Sequence, residues 1–417
     1  METRREFIRD IVIGISFLLT GCSFYDRTSF IQKRIFDGRL NKEVSASGKR
    51  EIIGKDGHLI NVLYLSGTPY EMGYQHGRLI GKEVNENIHG VLRGFQESVK
   101  KNLEGFTKLP LLEDIISGGF VSRGLGLASE KIWSRMPRED QEELIGLADG
   151  SKVNLNLLKM VHSLPEVVET SCSLISAYDK ASIDKKMYQV RVLDFAMNLG
   201  IQDNPAIIVY QPKNQDSFRF ANIGWAGFIG VISGMNGKGV CVSEAGYGSP
   251  RKNKRRVGIS ASEEDYQETI DGMPMEFQLK EVLRHSENVD QATAILRSVN
   301  KTSDYAFIVS DPKDTRGYIS TRNMLKVIKP GETAPVKVFD NVVYGSHDDK
   351  KCSELIDQYY GHLEPKIFID NIIPLIAMKG NLQSVVYCPA ELKFWVSNAK
   401  GRTGRACDQK YTEFKLN

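Results

Sequence analysis

An α+β fold, with antiparallel sheets covered by helices in layers, is what this 417-residue sequence predicts. Three observations carry it. Up to residue 165 the apolar residues recur largely at helical spacing, and from Cys172 onward the period shortens to two. The strand-like runs that follow are interrupted by helices in pairs. Strands grouped in this way form sheets onto whose faces the helices pack.

Taken in order, the first 22 residues read as an export signal. Arg4, Arg5 and Arg9 precede the apolar run IVIGISFLLT, which ends at Gly21-Cys22. The run is too short for a comfortable membrane span. Leu19-Thr20-Gly21-Cys22 resembles a bacterial lipobox. That implies a signal peptide over 1–21, acyl chains on Cys22, and a protein held to a membrane of the cell envelope, because several chains on one residue anchor stably. Residues 22–48, polar beyond the cysteine, read as the tether.

EIIGKDGHLINVLYLSG (51–67) alternates around Lys55-Asp56-Gly57 and predicts a hairpin. A helix follows: Thr68 is placed as N-cap, Pro69 as first helical residue, and Glu71 completes a capping box. Gly73, Gly77 and Gly81 recur every four residues along it. Glycine costs about 1 kcal/mol against alanine inside a helix, so this ridge predicts another backbone packed against it. A membrane-dimer reading fails, since Glu71, Gln75, His76 and Arg78 would sit in lipid. Ile88, Val91, Leu92, Phe95 and Val99 mark an amphipathic helix over 85–105, and 139–165 reads as two helices split at Asp149-Gly150.

Cys172–Tyr178 and Met187–Phe195 then form a strand pair around Asp184-Lys185-Lys186. Ala206–Gln211, Ser217–Ile223, Phe228–Ser233 and Gly239–Ser243 are further strands. A helix opened by Gly272-Met273-Pro274, with Phe277, Val282 and Leu283 buried, precedes a second over 289–299. The strand DYAFIVSD (304–311), helices near 352–360 and 365–378, and the strands SVVYCP and ELKFWVS complete the chain. No internal repeat or low-complexity stretch occurs.

Composition is that of a folded globular protein, 41% apolar and 26% charged. A formal charge of +3, with RKNKRR (251–256) as the densest basic run, argues against a nucleic-acid partner. There is no CxxC or HExxH, and the seven histidines are scattered, so the sequence carries no metal or cofactor signature. Besides Cys22 there are five cysteines, Cys172, Cys241, Cys352, Cys388 and Cys407, so at least one thiol stays unpaired. Cys241, between Val240 and Val242, reads as core.

Cys172 is the residue with chemical potential. It stands between Ser171 and Ser173 where the strand pattern begins. A cysteine becomes nucleophilic when a neighbour takes its proton or stabilises its thiolate. A histidine partner is one route, with His162, His285 and His347 as the candidates to test. The other route needs none: if the chain is cut between Ser171 and Cys172, the new α-amine lies beside the thiol and serves as its base. The thiol itself can attack the Ser171 carbonyl, and water then releases the thioester.

The segment CSLISAYDKASIDKKMYQVRVLDF resembles the start of the catalytic chain in cysteine N-terminal-nucleophile hydrolases, in the autoproteolytic acyltransferase/hydrolase family. Val190-Arg191-Val192-Leu193-Asp194 is similar to the family's GRNLD-like segment, with Val192 in place of Asn. GTPYEMGYQHGRLIG, ELIGLADG, SGMNGKGVCVSEAG, DGMPMEFQLKEVL, TSDYAFIVSD and KGNLQSVVYCPAELKFWVSNAK resemble further family segments in the same order, with Gln383 where many relatives carry His. The resemblance implies a layered αββα fold, a largely helical segment 49–171, and a catalytic chain 172–417 that forms one domain with it. It implies Cys172 as nucleophile, with Arg191 and Asp194 beside it. That pair has two readings, a catalytic one and a strand contact bracing the sheet. Glu244 is a weaker candidate, as is Asn381, either an oxyanion donor or a turn former.

The expected activity is autoproteolytic cleavage followed by hydrolysis or transfer of an acyl group at a C–N bond of a small-molecule amide, without cofactor. The processed fragments are expected to stay associated. Alternatives are a lipolytic esterase resembling phospholipase B-like proteins, acting on an ester, and a non-catalytic envelope binding protein on the same fold.

Overall fold

The computed structural model describes residues 48–55, 57–103, 119–167, 171–195, 197–246, 272–302 and 305–416. The export signal, Cys22, nearly all of the tether and RKNKRR lie outside the described residues. Among those described, no helix is long and apolar enough to cross a membrane.

The chain opens with β1 (Lys49–Ile53) and β2 (Ile60–Gly67), an antiparallel pair. Helix α1 (Pro69–Leu79) starts as expected. Thr68 accepts from Glu71 N–H, and the Glu71 carboxylate takes the Thr68 N–H at 2.7 Å. Then come α2 (Gly81–Leu103), α3 (Gly119–Arg135), α4 (Arg138–Ser151) and α5 (Leu155–Val167). The break between α4 and α5 falls at Lys152, in the left-handed region, and not at Asp149-Gly150. Gly150 instead stays helical and packs.

Its role is the counterpart of the glycine ridge. A Cβ added at Gly73 would lie 1.9 Å from the Glu143 carbonyl oxygen, and one at Gly146 2.1 Å from that of Tyr70. Helices α1 and α4 therefore touch backbone to backbone, with glycines on both.

The second half supplies most of two sheets. One has nine strands in the order β1-β2-β5-β6-β7-β8-β9-β10-β11, and the other has six, in the order β12-β3-β4-β13-β14-β15. Strands β3 (Ser171–Asp179) and β4 (Lys185–Asp194) pair as the sequence predicts. The larger sheet continues with β5 (Pro205–Pro212), β6 (Phe220–Trp225), β7 (Ser233–Asn236), β8 (Cys241–Gly246), β9 (Tyr305–Ser310), β10 (Thr315–Thr321) and β11 (Met324–Ile328). The smaller is completed by β12 (Val342–Gly345), β13 (Asn381–Cys388), β14 (Lys393–Asn398) and β15 (Thr412–Lys415). Among the described strands every pairing is antiparallel except β2 with β5. Helices α6 (Met275–His285) and α7 (Val289–Ser298) precede β9, and α8 (Asp349–Tyr359) follows β12. A helical segment then runs from Pro365 to Ile376.

The stretch Phe228–Ser233 is not a strand: residues 228–232 form a buried loop ahead of β7. Its apolar side chains satisfy the core, but its amides are claimed from outside a sheet. The ring nitrogen Nε2 of His162 accepts from Ile229 N–H at 3.0 Å, and that of His76 accepts from Gly227 N–H at 3.1 Å.

Alternation along the strands builds four layers, α, β, β, α. Val62, Ile207 and Val209 face Val385, Tyr387 and Val396 of the other sheet. The intervening Leu63, Leu65, Ile208 and Tyr210 turn outward against Met72, Leu144, Leu147 and Leu283 of the helices. On the far side, Ile175, Val190, Val192 and Val386 pack on Leu355, Ile356, Phe368 and Ile373. The expected αββα arrangement is the one observed, and segment 49–171 contributes both strands and helices to it. Cys172, Cys241, Cys352, Cys388 and Cys407 are buried free thiols, with Cys241 in the inter-sheet core.

Candidate active site

Strand β3 begins at Ser171, opposite Asp194 at the end of β4, and Cys172 stands opposite Leu193. The period of two then sorts the side chains. Cys172 and Leu174, with Arg191 and Leu193, face the larger sheet, whereas Ile175 and Val192 face the outer helices. Val192, the departure from the family's Asn, is thus packed in the opposite layer from the thiol. It does not weigh for a non-catalytic chain.

Arg191 is 0% exposed and crosses from one sheet to the other. Its Nη2 lies 2.6 Å from Glu244 Oε2 on β8 and 4.0 Å from Cys172 Sγ, and its Nε donates to the Glu244 carbonyl at 2.8 Å. The partner of Arg191 is therefore Glu244, a carboxylate that clamps the guanidinium against the thiol. No Arg191–Asp194 ion pair forms, so the bracing contact read for that pair is replaced by this inter-sheet one. The remaining guanidinium nitrogen, Nη1, is buried with no hydrogen-bond partner.

Asp194 is held at the same strand end. Its Oδ1 accepts from Met378 N–H at 3.1 Å, while Oδ2 is buried and has no hydrogen-bond partner. The nearest cationic candidate is His347, whose Nδ1 lies 4.0 Å from Oδ2. Burial pushes the Asp194 carboxyl up to about 7, against the hydrogen bond from Met378, the neighbouring Asn381 amide and the charges of Arg191 and Arg405. For Cys172, burial and then the Glu244 charge push the thiol up to about 12, with Arg191 pulling the other way. In the continuous chain burial and the Glu244 charge favour the protonated thiol.

Asn381 lies opposite Asp194, where β13 bulges against β4. Its amide donates to the Leu193 carbonyl at 3.1 Å, and its Oδ1 accepts from Cys407 N–H at 2.8 Å and from Ser384. These bonds fasten the bulge, which is the structural one of its two readings. Gln383 bonds Asn398 at 3.0 Å. Of the three histidines, His162 is a core residue bonded through both nitrogens, to Leu158 and Ile229. His285 bonds the Asp216 carbonyl. His347 reaches the site, but toward Asp194 and not the sulfur. Its sequence setting, SHDD after a strand-like VVYGS, gave no sign of that placement. Among the described residues no cluster of histidine, cysteine and carboxylate side chains suits a metal ion.

The arrangement combines a buried thiol, a fixed cation beside it, and a carboxyl with one open oxygen at the same strand end. A group of this kind can add sulfur to a carbonyl, hold the resulting oxyanion or an anionic substrate by Arg191, and bind an ammonium at Asp194.

No family model matches the chain. Protein dcd1B of Dictyostelium discoideum is 28% identical over 362 residues, which cover 82% of this chain and 69% of that protein. Protein dcd1A of the same organism is 29% identical over 268 residues, or 61% and 56% of the two chains. An uncharacterized protein of Archaeoglobus fulgidus is 24% identical over 277 residues, 60% of this chain and 41% of its own length. Among solved structures, the Caenorhabditis elegans ortholog of N-acylethanolamine-hydrolyzing acid amidase superposes with a TM-score of 0.42 at 12% identity, covering 59% of this chain and all of that one. A conjugated bile acid hydrolase mutant from Clostridium perfringens gives 0.37 at 13%, with 59% and 97% covered. Penicillin V acylase from Agrobacterium tumefaciens gives 0.34 at 10%, with 55% and 83% covered. The αββα assignment rests on the strand order and the three cores, not on these likenesses.

Proposed function

We propose that this chain is a self-processing cysteine amidohydrolase or acyltransferase that works through Cys172 and its own backbone nitrogen. The observation that carries the reading is the setting of Cys172. It is a buried thiol at a strand start, 4.0 Å from Arg191, with an open Asp194 oxygen at the same strand end. In the continuous chain no described base is bonded to the sulfur. An α-amine freed at Cys172 supplies one, since such amines ordinarily titrate near 7.7–8.0 and are part neutral at working pH. Asp194 Oδ2 is the acceptor that would orient it.

The cycle follows from these parts. Sulfur adds to the acyl carbon while the amine takes its proton, and Arg191 faces the developing negative charge. The amine returns the proton to the leaving nitrogen as the C–N bond breaks, leaving a thioester. Water, or an acceptor amine in transfer, then attacks the thioester and restores the thiol. The same sulfur first attacks the Ser171 carbonyl to open the chain. The envelope tether at Cys22 belongs to this proposal and would keep the enzyme at a membrane face.

Denaturing electrophoresis with mass spectrometry tests the reading. The expected products are fragments ending at Ser171 and beginning at Cys172, with one uncut band for Cys172→Ala. Cleavage retained in Cys172→Ala, or amidase activity from a chain with the 171–172 bond intact, removes the proposal.

A further inference from the structure

We propose that His347 is a positioning residue that feeds protons to Asp194 during cleavage of the Ser171–Cys172 bond. The inference rests on the self-processing reading above and extends it to a residue on a different strand. Its basis is geometric. His347 follows β12, the strand that pairs with β3 through Gly345 and Leu174. The turn carrying it is pinned to the nucleophile strand by a 2.6 Å bond between Ser346 Oγ and Ser173 Oγ, and to α8 by Ser346 N–H donating to Asp349 at 2.8 Å. That turn sets the imidazole Nδ1 4.0 Å from the one Asp194 oxygen that has no hydrogen-bond partner. A small side-chain rotation closes such a gap, and catalytic hydrogen bonds commonly tighten only as reaction begins.

The two groups differ in what they can reach. Asp194 is 4% exposed and lies across the strand pair from Ser171, while the His347 side chain is 29% exposed. Asp194 sits at the strand end opposite Ser171, and His347 is the partly exposed member of the pair. Opening the Ser171–Cys172 peptide requires a proton on the departing nitrogen, and a carboxylic acid at that strand end can give it. Asp194 is suited to carry that proton, since burial raises its carboxyl into the neutral range. In the step, Cys172 sulfur bonds the Ser171 carbonyl carbon as its proton moves to the carbonyl oxygen, which gives it up to solvent when the tetrahedral centre collapses. The C–N bond breaks, the nitrogen takes the Asp194 proton, and His347 restores it from solvent. Water then hydrolyses the thioester and returns a proton to the sulfur. Histidine is the side chain suited to such shuttling near neutral pH. The other charged or titratable groups bearing on the pair are Arg191 on β4, Arg405 and Cys407 after β14, Cys172 on β3, and Asp349 at the start of α8. None of them forms an ion pair with Oδ2, and among the described residues His347 alone links it to a partly exposed ring.

The test follows self-cleavage of the full chain, purified uncut, as a function of pH. Variants His347→Gln and His347→Ala are compared with the parent, each with and without added imidazole, and Cys172→Ala serves as the control for the self-processing reading. The expected result is a tenfold or larger loss of cleavage rate in both histidine variants, a changed pH profile, and partial recovery by imidazole in His347→Ala. Urea unfolding checks that each variant is folded. Parental rates and pH profile in His347→Gln, with Cys172→Ala still uncut, overturn this inference and leave the self-processing reading standing. A slowed His347→Ala that imidazole does not rescue at any pH, with an unshifted profile, assigns His347 to the fold alone and also overturns it. Cleavage in Cys172→Ala removes the parent reading instead.

Discussion

Lys280→Met probes a cluster of fully buried charges that lies away from the thiol. Lys280 on α6 is 0% exposed, with its ammonium 2.8 Å from Asp140 and 2.7 Å from Glu143 of α4. Arg284 grips Asp140 with two bonds, of 2.7 and 3.0 Å, and Tyr210 donates to Glu143 at 2.8 Å. The carboxylates precede position 171 and the cations follow it, so the cluster spans the proposed cut. Methionine keeps the length of the stem and deletes the charge. Asp140 keeps Arg284, so the loss falls on Glu143, left with the tyrosine hydroxyl and a guanidinium 3.8 Å away. Removing one partner of a buried pair costs about 3–5 kcal/mol. The lower end is expected here, because burial already raises the Glu143 carboxyl and lets it take up a proton. Against a total stability of about 5–15 kcal/mol that is a large share. Equilibrium urea unfolding of Cys172→Ala, Cys172→Ala/Lys280→Met and the latter with Glu143→Gln measures it. The added Gln should recover most of the loss, since neutralising both members is often nearly neutral. A loss below about 1 kcal/mol in the Lys280 variant, or no recovery with Gln, refutes the reasoning.

Two further outcomes follow from the same packing. Gly146→Ala puts a Cβ 2.1 Å from the Tyr70 carbonyl oxygen, so α1 and α4 must part. A loss of about 1–3 kcal/mol is expected, read as a lower melting temperature, while Gly90→Ala, inside α2 with its nearest outside atom 3.9 Å away, should raise stability by up to about 1 kcal/mol. Acid should loosen the 226–232 loop: burial lowers His76 to about 3 and His162 to about 4, both from 6.5. The unfolded chain takes up those protons first, so stability is full above pH 6.5 and falls as pH drops toward the folded values. The share of His162 is about 3 kcal/mol at 1.36 kcal/mol per pH unit. Urea unfolding of His162→Gln between pH 6.5 and 4 should show that part of the slope gone.

Much of this was legible in the sequence wherever the signal is local. The capping box at Thr68-Glu71 is written in four residues, and the glycine ridge of α1 announces a close partner without naming it. The partner, Gly146 and Gly150 on α4, was misread at Gly150 as a helix end, because a glycine that permits contact looks like one that terminates. Ile229, Val231 and Ile232 form an apolar run that periodicity alone does not separate from a strand. What decides it is the amide bonds to His76 and His162, which come from distant helices. Strands β10, β11, β12 and β15 are missing from the sequence reading: β11, β12 and β15 are only four or five residues long, whereas β10 follows the turn signal Asp311-Pro312-Lys313-Asp314, which was passed over. At the site, Cys172, Arg191 and Asp194 sit on one hairpin, and it is the family resemblance that brought them together in the sequence. The Arg191–Glu244 clamp joins two sheets across 53 positions, and no spacing rule reveals such a pair.

The parallel seam between β2 and β5 has a consequence for how this molecule could be encoded. Parallel neighbours need a long crossover, and here the crossover is everything from α1 through β4, including the 171–172 bond. Breaking that bond leaves the ladder from Asn61–Ala206 to Gly67–Pro212 untouched. The covalent order of the two halves is then a matter of synthesis and not of architecture. A gene split at this point, with each half carrying its own start, should still yield one assembled sheet. The half supplying β1 and β2 would act as a strand donor to the other.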